Sequence, residues 1–233
     1  MEKNKKASKR FLEWGDLALP WVVEIVLLAA SYQVAAASGL GLFASVLVFC
    51  AALMVLTFIA LKIIRMVFPF RIGVFSISEK SRMFSVWNLY SFVLGTNLSL
   101  FYFNNLLPMI FRKLFYQLLG ARLGKGVLAI AGTIFDPSLV TLEEDVFIGY
   151  EANLSPHLIA VVASKRVLIL GKIEIKKGVM IGGRTLILPG VTIGENSMVN
   201  AMSLVPMNTH IPANEIWGGN PAQKIASLTS KSS

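Results

Sequence analysis

The first part of the chain is an almost unbroken run of apolar residues. From position 17 to position 61 the only charged residue is Glu24. One membrane span takes about 20 apolar residues, so this run is too long for one span and long enough for two. We therefore predict helices near 17–38 and 40–61. An ionisable group within a span is costly and often functional, but because Glu24 lies close to the start of the first helix, we favour a carboxyl that reaches the membrane interface.

A second apolar region, 85–119, is rich in aromatic residues and is interrupted by polar and turn residues, so it does not form a clean span. Within it, the piece 109–119 places Arg112 and Lys113 among Phe, Leu and Tyr. This composition predicts a helix that lies in the bilayer interface or packs on the following domain. The pattern leaves open whether 85–104 re-enters the membrane.

Beyond Gly120 the hydrophobic pattern changes to a period of six. Aliphatic residues recur at every sixth position, and a small or β-branched residue follows most of them four positions later. The aliphatic positions are Leu142, Ile148 and Leu154, then Ile169, Ile175, Ile181, Ile187, Ile193, Val199, Val205 and Ile211. Neither the period of an α-helix nor that of a strand produces this spacing.

A triangular coil with one hexad on each side, about 18 residues per turn, does produce the spacing. The aliphatic side chains then point to the axis, and glycines permit tight corners. Leu154 and Ile169 are not separated by a multiple of six, so 155–168 either loops out or resets the phase. The segment 217–225 contains Gly and Pro and ends the coil, and we expect a short capping helix there.

The basic residues indicate the orientation in the membrane. Five of them lie in the first ten positions, and a second group follows the second span, namely Lys62, Arg65, Arg71, Lys80 and Arg82. Both groups favour the cytoplasm, and two spans place both ends there. We therefore interpret the net charge of +9 as a signal for orientation in the membrane rather than for nucleic-acid binding. A cleaved signal peptide is the less favoured alternative.

These patterns divide the chain into five parts, an organisation that predicts an integral inner-membrane protein with its β-helix on the cytoplasmic side. The parts are a basic N-terminus (1–16), two transmembrane helices (17–68), an amphipathic or interfacial helical region (69–119), a β-helix domain (120–216) and a C-terminal cap and tail (217–233). A composition of 55% hydrophobic and 15% charged residues excludes a disordered or wholly soluble chain. The single Cys50 excludes an intrachain disulfide.

The hexads, together with GGNPAQKI at 218–225, resemble the hexapeptide-repeat, left-handed β-helix acyltransferases. A tighter likeness covers about 95–171, with LLGARLGKGV and FDPSLVTLEEDVFIG. This stretch is similar to membrane-associated domains at the C-terminus of nonribosomal-peptide-synthetase-like enzymes such as poly-lysine synthetases. The resemblance implies a homotrimer, acyl-coenzyme A donors such as acetyl-CoA, active sites between neighbouring subunits, and one histidine as general base.

Acyl transfer requires a base to take the proton of the acceptor, and histidine titrates in the useful range. We favour His157, which lies where the register breaks and matches the motif context of the family, over His210 near the cap. The alternative for His157 is a hydrogen-bonded structural histidine. Glu151 and Asp136 are candidates to orient the base, although Asp136 before Pro137 is more simply a turn signal. A backbone carbonyl or another subunit is the remaining candidate.

By the same resemblance, small residues at Gly183, Ala201 and Ser203 would let the pantetheine chain approach the backbone. Arg184 and Lys224 would hold the coenzyme A phosphates, with Lys176 and Lys177 as weaker candidates. Two histidines per chain argue against a zinc enzyme of the β-helix carbonic anhydrase type, and we expect no metal.

The predicted function is transfer of an acyl group, in the simplest case acetyl, to a hydroxyl or amine of a membrane-associated lipid-linked sugar, lipid or peptide. One alternative is amide formation from an acyl or peptidyl carrier protein. The other is a non-catalytic trimeric membrane scaffold.

Overall fold

A computed structural model describes residues 14–77, 81–102, 107–129 and 132–228. The basic N-terminus as far as residue 13, Lys80 and the tail from 229 lie outside the described residues. The chain divides into two compact units. The first comprises 1–71, 75–104 and 161–168, and the second comprises 72–74, 105–160 and 169–233.

Three helices that pack on one another form the first unit: α1 (Trp14–Ala37), α2 (Leu42–Val67) and α3 (Arg82–Tyr102). Among the described residues, Ala18–Ala37 and Leu42–Val67 are long and apolar enough to cross a membrane. The second helix continues six residues beyond the predicted end at position 61. Its first two residues, Leu42 and Phe43, are 85% and 79% exposed, a surface that water disfavours and lipid accepts.

The expectation that Glu24 reaches the membrane interface is wrong. Only 4% of Glu24 is exposed, and its carboxylate accepts a hydrogen bond of 2.9 Å from the side-chain amide of Asn97. A buried carboxyl needs such a partner. The packing of α3 against α1 supplies it, and the pattern of apolar residues did not reveal that contact.

The second unit contains the helix α4 (Met109–Leu118), which packs on the first two strands of the β-helix. Tyr116 is 2% exposed; its hydroxyl donates to the carbonyl of Gly132 and accepts from the N–H of Ile134. Burial raises the pKa of this phenol. The predicted packing of this helix on the following domain is therefore observed, and its position in the bilayer interface, which that packing does not exclude, stays a prediction.

Short parallel strands then build three sheets. The first contains β2 (Arg122–Leu123), β5 (Val140–Leu142), β10 (Ile173–Ile175), β13 (Thr192–Ile193) and β16 (His210–Ile211). The second contains β3 (Leu128–Ala129), β6 (Phe147–Ile148), β11 (Met180–Ile181), β14 (Met198–Val199), β17 (Glu215–Gly219) and β18 (Ala222–Ser227). The third contains β4 (Thr133–Ile134), β7 (Asn153–Leu154), β12 (Leu186–Ile187) and β15 (Leu204–Val205).

The register of these sheets confirms the parallel coil with three hexads per turn. Glu174 pairs with Thr192 and Thr192 pairs with His210, so each turn of this part advances by 18 residues. The aliphatic positions from Ile175 onward have no exposed surface. Ile169 is the exception, because it belongs to an inserted hairpin and is only half-buried.

That hairpin, β8 (His157–Val162) and β9 (Lys165–Leu170), leaves the coil between β7 and β10. It is the excursion that the phase break at 155–168 predicts. In the first unit the N–H of Ile77, which follows β1 (Gly73–Ser76), donates to the carbonyl of Arg166 in the hairpin.

The expectation of a C-terminal capping helix is wrong. Residues Ala222–Ser227 form a strand that pairs antiparallel with Glu215–Gly219. Gly219, with a φ of 102°, reverses the chain, and the open edge of β17 offers backbone groups to the returning strand. A lysine–carboxylate contact between Lys224 and Glu215 also links the two strands.

Candidate functional site

His157 lies at the corner where the chain leaves the third sheet. It lies three residues after the end of β7 and begins β8, and the hydroxyl of Ser155 donates to its carbonyl at 2.8 Å. Asp136 follows β4, which is the neighbour of β7 in this sheet, with Ile134 paired to Leu154. Because the two strands stack in register, the residues after them meet at one corner.

The imidazole Nδ1 of His157 is 2.5 Å from the carboxylate Oδ2 of Asp136. The Asp136 side chain is 3% exposed and the His157 side chain is 24% exposed. The ring of Phe135 contacts the imidazole edge-on, with 5.7 Å between centroids. The pair therefore combines a buried carboxylate with a histidine that remains accessible from solvent.

Asp136 also makes the turn that its sequence context predicts. It has a φ of 40° and precedes the 3-10 turn Pro137–Leu139, but its side chain does not cap that turn. The carboxylate is directed to His157 instead. Sequence reasoning gave the turn more weight than the orienting role, and the geometry gives Asp136 both.

Such a pair has a defined chemistry. A proton on Nδ1 that is donated to the carboxylate fixes the tautomer of the ring, and Nε2 becomes the basic position. The carboxylate also stabilises the imidazolium that forms when Nε2 takes a proton. His157 and Asp136 can therefore serve as a general base and the group that orients it.

The other carboxylate considered, Glu151, has a different partner. It accepts a 2.8 Å hydrogen bond from Nε of Arg184. This contact holds the pKa of the Glu151 carboxyl below its ordinary value. Both side chains are substantially exposed, and ion pairs of that kind contribute little to stability.

Three of the predicted donor-binding residues share a second corner, between the second and third sheets. Gly183 and Arg184 precede β12, and Ala201 precedes β15, its neighbour in the sheet. The N–H of Met202 donates to the carbonyl of Gly183 at 2.9 Å, which holds the two coils together. The exposed side chains of Tyr150 and Met202 border this surface of small residues.

Ser203 is placed differently from that surface. It is 2% exposed, and its hydroxyl donates to the carbonyl of Asn200 and accepts from the N–H of Gly219. Its side chain therefore links the last coil to β17 in the interior of the three-sided coil.

The four predicted phosphate-binding cations all have carboxylate partners in the chain. Arg184 pairs with Glu151 as described, and Nζ of Lys224 lies 2.5 Å from Oε1 of Glu215. Lys176 and Lys177 contact Glu143 and Glu144. The Glu143 contact raises the pKa of Lys176. Any anion at these positions must compete with a carboxylate.

A cavity of about 400 Å³ opens further along the corner that carries His157. Its lining includes Gly171, Lys172, Pro189, Gly190 and Asn208. The N–H of Gly171 donates to the carbonyl of Pro156, the residue before His157, at 2.9 Å. The periodicity gave no signal for this cavity, because the inserted hairpin that creates it interrupts the repeat.

His210 lies on β16, at the edge of the first sheet and on a different coil from His157. No group of three or more His, Cys, Asp and Glu side chains that could hold a metal occurs among the described residues.

No family model matches the chain. The chain is 32% identical over 116 residues to the delta-poly-L-ornithine synthetase of Acinetobacter baumannii, a match that covers 50% of this chain and 8% of the synthetase. This match confirms the resemblance to poly(amino acid) synthetases, and the coils confirm the repeat. The chain is therefore similar to a poly(amino acid) synthetase over half of its length and carries hexapeptide repeats of its own.

A second match of this hexapeptide-repeat protein is much shorter. It is 54% identical over 35 residues to the mitochondrial gamma carbonic anhydrase 2 of Arabidopsis thaliana, covering 15% of this chain and 13% of that protein. The chain thus spans only a small part of the curated relatives it matches.

Two solved structures are also similar to this hexapeptide-repeat protein. The hexapeptide-repeat acetyltransferase of Vibrio cholerae O1 biovar eltor, complexed with acetyl coenzyme A, shares 29% identity with a TM-score of 0.44, over 48% of this chain and 62% of that chain. A galactoside acetyltransferase in complex with coenzyme A shares 22% identity with a TM-score of 0.43, over 59% of this chain and 81% of that chain.

Proposed function

We propose that the protein is a membrane-anchored acyltransferase. It moves an acyl group, in the simplest case acetyl, from acyl-coenzyme A to a hydroxyl or amine of a membrane-associated acceptor, with His157 as general base. The observation that carries the proposal is the pair of His157 and Asp136 at a corner of a hexapeptide-repeat coil.

The proposed reaction assigns each proton to an atom. Nε2 of His157 takes the proton of the acceptor as the acceptor oxygen or nitrogen attacks the thioester carbonyl. The carboxylate of Asp136 stabilises the imidazolium formed in this step. Nε2 then returns the proton to the departing thiolate, so that the thiol and the acylated acceptor leave a neutral histidine.

The proposed donor site is the corner of Gly183, Arg184 and Ala201, where small residues leave the backbone accessible to the amides of pantetheine. Arg184 and Lys224 would bind the phosphates by exchanging their contacts with Glu151 and Glu215. Ser203 supports this corner from inside. A metal has no part in the proposal.

A homotrimer forms part of the same proposal. The donor corner and the corner of His157 are different edges of the three-sided coil, and in the proposed trimer the copies pack so that a donor bound along one edge meets His157 of a neighbouring copy. A left-handed sense of winding, as in the acyltransferases that the sequence resembles, is proposed with it.

Membrane anchoring is proposed from α1 and α2. Their apolar length and the large exposed side chains of α2 support two spans. The basic residues that follow α2 support a cytoplasmic position for the coil. The acceptor class follows from the anchor, since an enzyme held at the bilayer reaches lipids, lipid-linked sugars and peptides delivered there.

The likeness to a poly-ornithine synthetase favours a second candidate function, in which a carrier protein presents the acyl or aminoacyl group and the product is an amide. Membranes that contain the full chain, incubated with radiolabelled acetyl-coenzyme A and separately with a labelled acyl carrier, distinguish the two. We expect label to pass from acetyl-coenzyme A into the membrane fraction. Label from the carrier alone supports the second function. No transfer and no acetyl-coenzyme A binding at millimolar concentration support a trimeric scaffold.

A further inference from the structure

The first unit contains a cavity where α2 ends and α3 begins. Its volume is about 330 Å³, which is at the lower end of the range for small-ligand sites. The lining combines two guanidinium groups with apolar side chains, among them Arg71, Arg82, Phe68, Phe75, Met83 and Val86. All of these residues belong to the first unit.

The first unit is strongly basic. Among the side chains that the structure describes there, Glu24 is the only acid, and it is buried against Asn97. Six basic side chains accompany it: Lys62, Arg65, Arg71, Arg82, Lys165 and Arg166. Arg71 and Arg82 are both exposed at the cavity. An anion entering the cavity therefore meets positive charge.

An aromatic ring orders Arg82, one of the two cations that line this cavity, and a second ring orders Arg65 near the end of α2. The guanidinium of Arg82 lies over the ring of Phe68, 4.8 Å from its centroid, and that of Arg65 lies over Phe70 at 4.0 Å. Phe70 packs edge-on against Tyr90 of α3. Side chains held in this way lose less conformational freedom on binding, which favours affinity.

We propose that this cavity binds the phosphate of an anionic phospholipid, with Arg71 and Arg82 as its ligands and the lipid chains along the apolar flank of α2. Guanidinium groups bind phosphate oxygens in pairs, and basic pockets beside membrane helices bind anionic headgroups. The proposal rests on the membrane-anchoring part of the proposed function and on nothing in its catalytic part.

The position of the cavity favours a lipid over a soluble phosphate ester. It lies at the end of a helix that is long enough to span the bilayer, where headgroups are found. Met66 and Val67, the last residues of that helix, are 74% and 59% exposed. A soluble phosphate would leave this apolar surface exposed, whereas the acyl chains of a phospholipid would cover it.

The test is equilibrium binding of fluorescent phosphatidylglycerol and phosphatidylcholine to the full chain in detergent. We expect the wild type to bind phosphatidylglycerol about tenfold or more tightly than phosphatidylcholine, because the choline ammonium of phosphatidylcholine cancels the charge of its phosphate and repels the two guanidinium groups. The double variant R71Q/R82Q should reduce this preference to less than about twofold. The control R122Q/K125Q removes the same charge from exposed positions of the second unit and should keep the preference.

A preference that survives in R71Q/R82Q overturns the proposal. If inorganic phosphate alone binds as tightly as phosphatidylglycerol, the lipid part is overturned. Met83→Glu, which puts an acid into the cavity wall, should abolish the preference as well and serves if the double variant does not fold. Lipid binding requires no turnover, so a protein without acyltransferase activity still tests the cavity, and failure of the cavity leaves acyl transfer untouched.

Discussion

The imidazole of His157 and the carboxylate of Asp136 meet across one turn of the coil, although 21 positions separate them in the sequence. The paired strands β4 and β7 bring them together, so the contact is a consequence of the register. The pair has the form of a base and its orienting carboxylate.

Asp136→Asn should keep this contact but change its chemistry. An amide no longer stabilises the imidazolium and no longer selects the tautomer with Nε2 as base. We expect acyl transfer to fall by about 10²-fold or more with little change in the affinity for acetyl-coenzyme A. Measured kcat and KM separate the two effects. A variant that loses affinity and keeps kcat would contradict the orienting role.

The carboxylate of Glu215 links the two strands of the C-terminal hairpin. Hydrogen bonds from Lys224 and then Trp217 hold the pKa of this carboxyl below its ordinary value. The stabilisation is therefore present above the ordinary pKa of a glutamate and is lost as the pH falls through the lowered one. The wild type should have a higher melting temperature than Glu215→Gln at neutral pH. This difference in melting temperature should disappear in acid. An equal gap at all pH values would show that the ionised carboxylate is not its cause.

Asn97 compensates for the burial of Glu24 between the helices. Replacement of Asn97 by Leu removes the amide that donates to the carboxylate. We expect a loss of about 1–3 kcal/mol in stability, as for a buried polar group without its partner. The measurement is thermal unfolding in detergent, with Thr96→Val at the adjacent exposed position as control. Glu24→Gln should partly restore stability in the Asn97→Leu background, and a further loss would argue against the pair.

Gly182 lies where the backbones of two stacked coils approach each other closely. A Cβ there would lie 2.3 Å from the backbone nitrogen of Ala201, so the coils must separate. Gly182→Ala should destabilise the β-helix by about 1–3 kcal/mol, as overpacking does. Gly95→Ala is the matched control, since a Cβ at Gly95 meets nothing within 4 Å. Equal stability of both variants in denaturant would contradict the close stacking of coils.

The sequence was most informative where the repeat is regular. From Ile175 to Ile211 the predicted axial residues are all buried, because a strict period leaves one possible register. Ile169 fits the period by coincidence and belongs to a hairpin, where the coil geometry no longer applies.

The period of six did not predict the contacts that cover the two ends of the coil. Tyr116 on α4 bonds to the first coil, and Lys224 on a returning strand bonds to Glu215. The orientation of Asp136 toward His157 depends on the stacking of two coils of unequal length. Local sequence shows the turn at Asp136 but not that stacking.

The central claim is that His157 takes the proton in acyl transfer from acyl-coenzyme A. Its most direct test is the release of coenzyme A thiol from acetyl-coenzyme A by the full chain in lipid membranes, compared between His157→Ala and His210→Ala. We expect His210→Ala to retain the wild-type rate and His157→Ala to lose about 10²- to 10⁴-fold, the usual contribution of a general base. Equal rates in wild type and His157→Ala, with both proteins folded, would contradict the account.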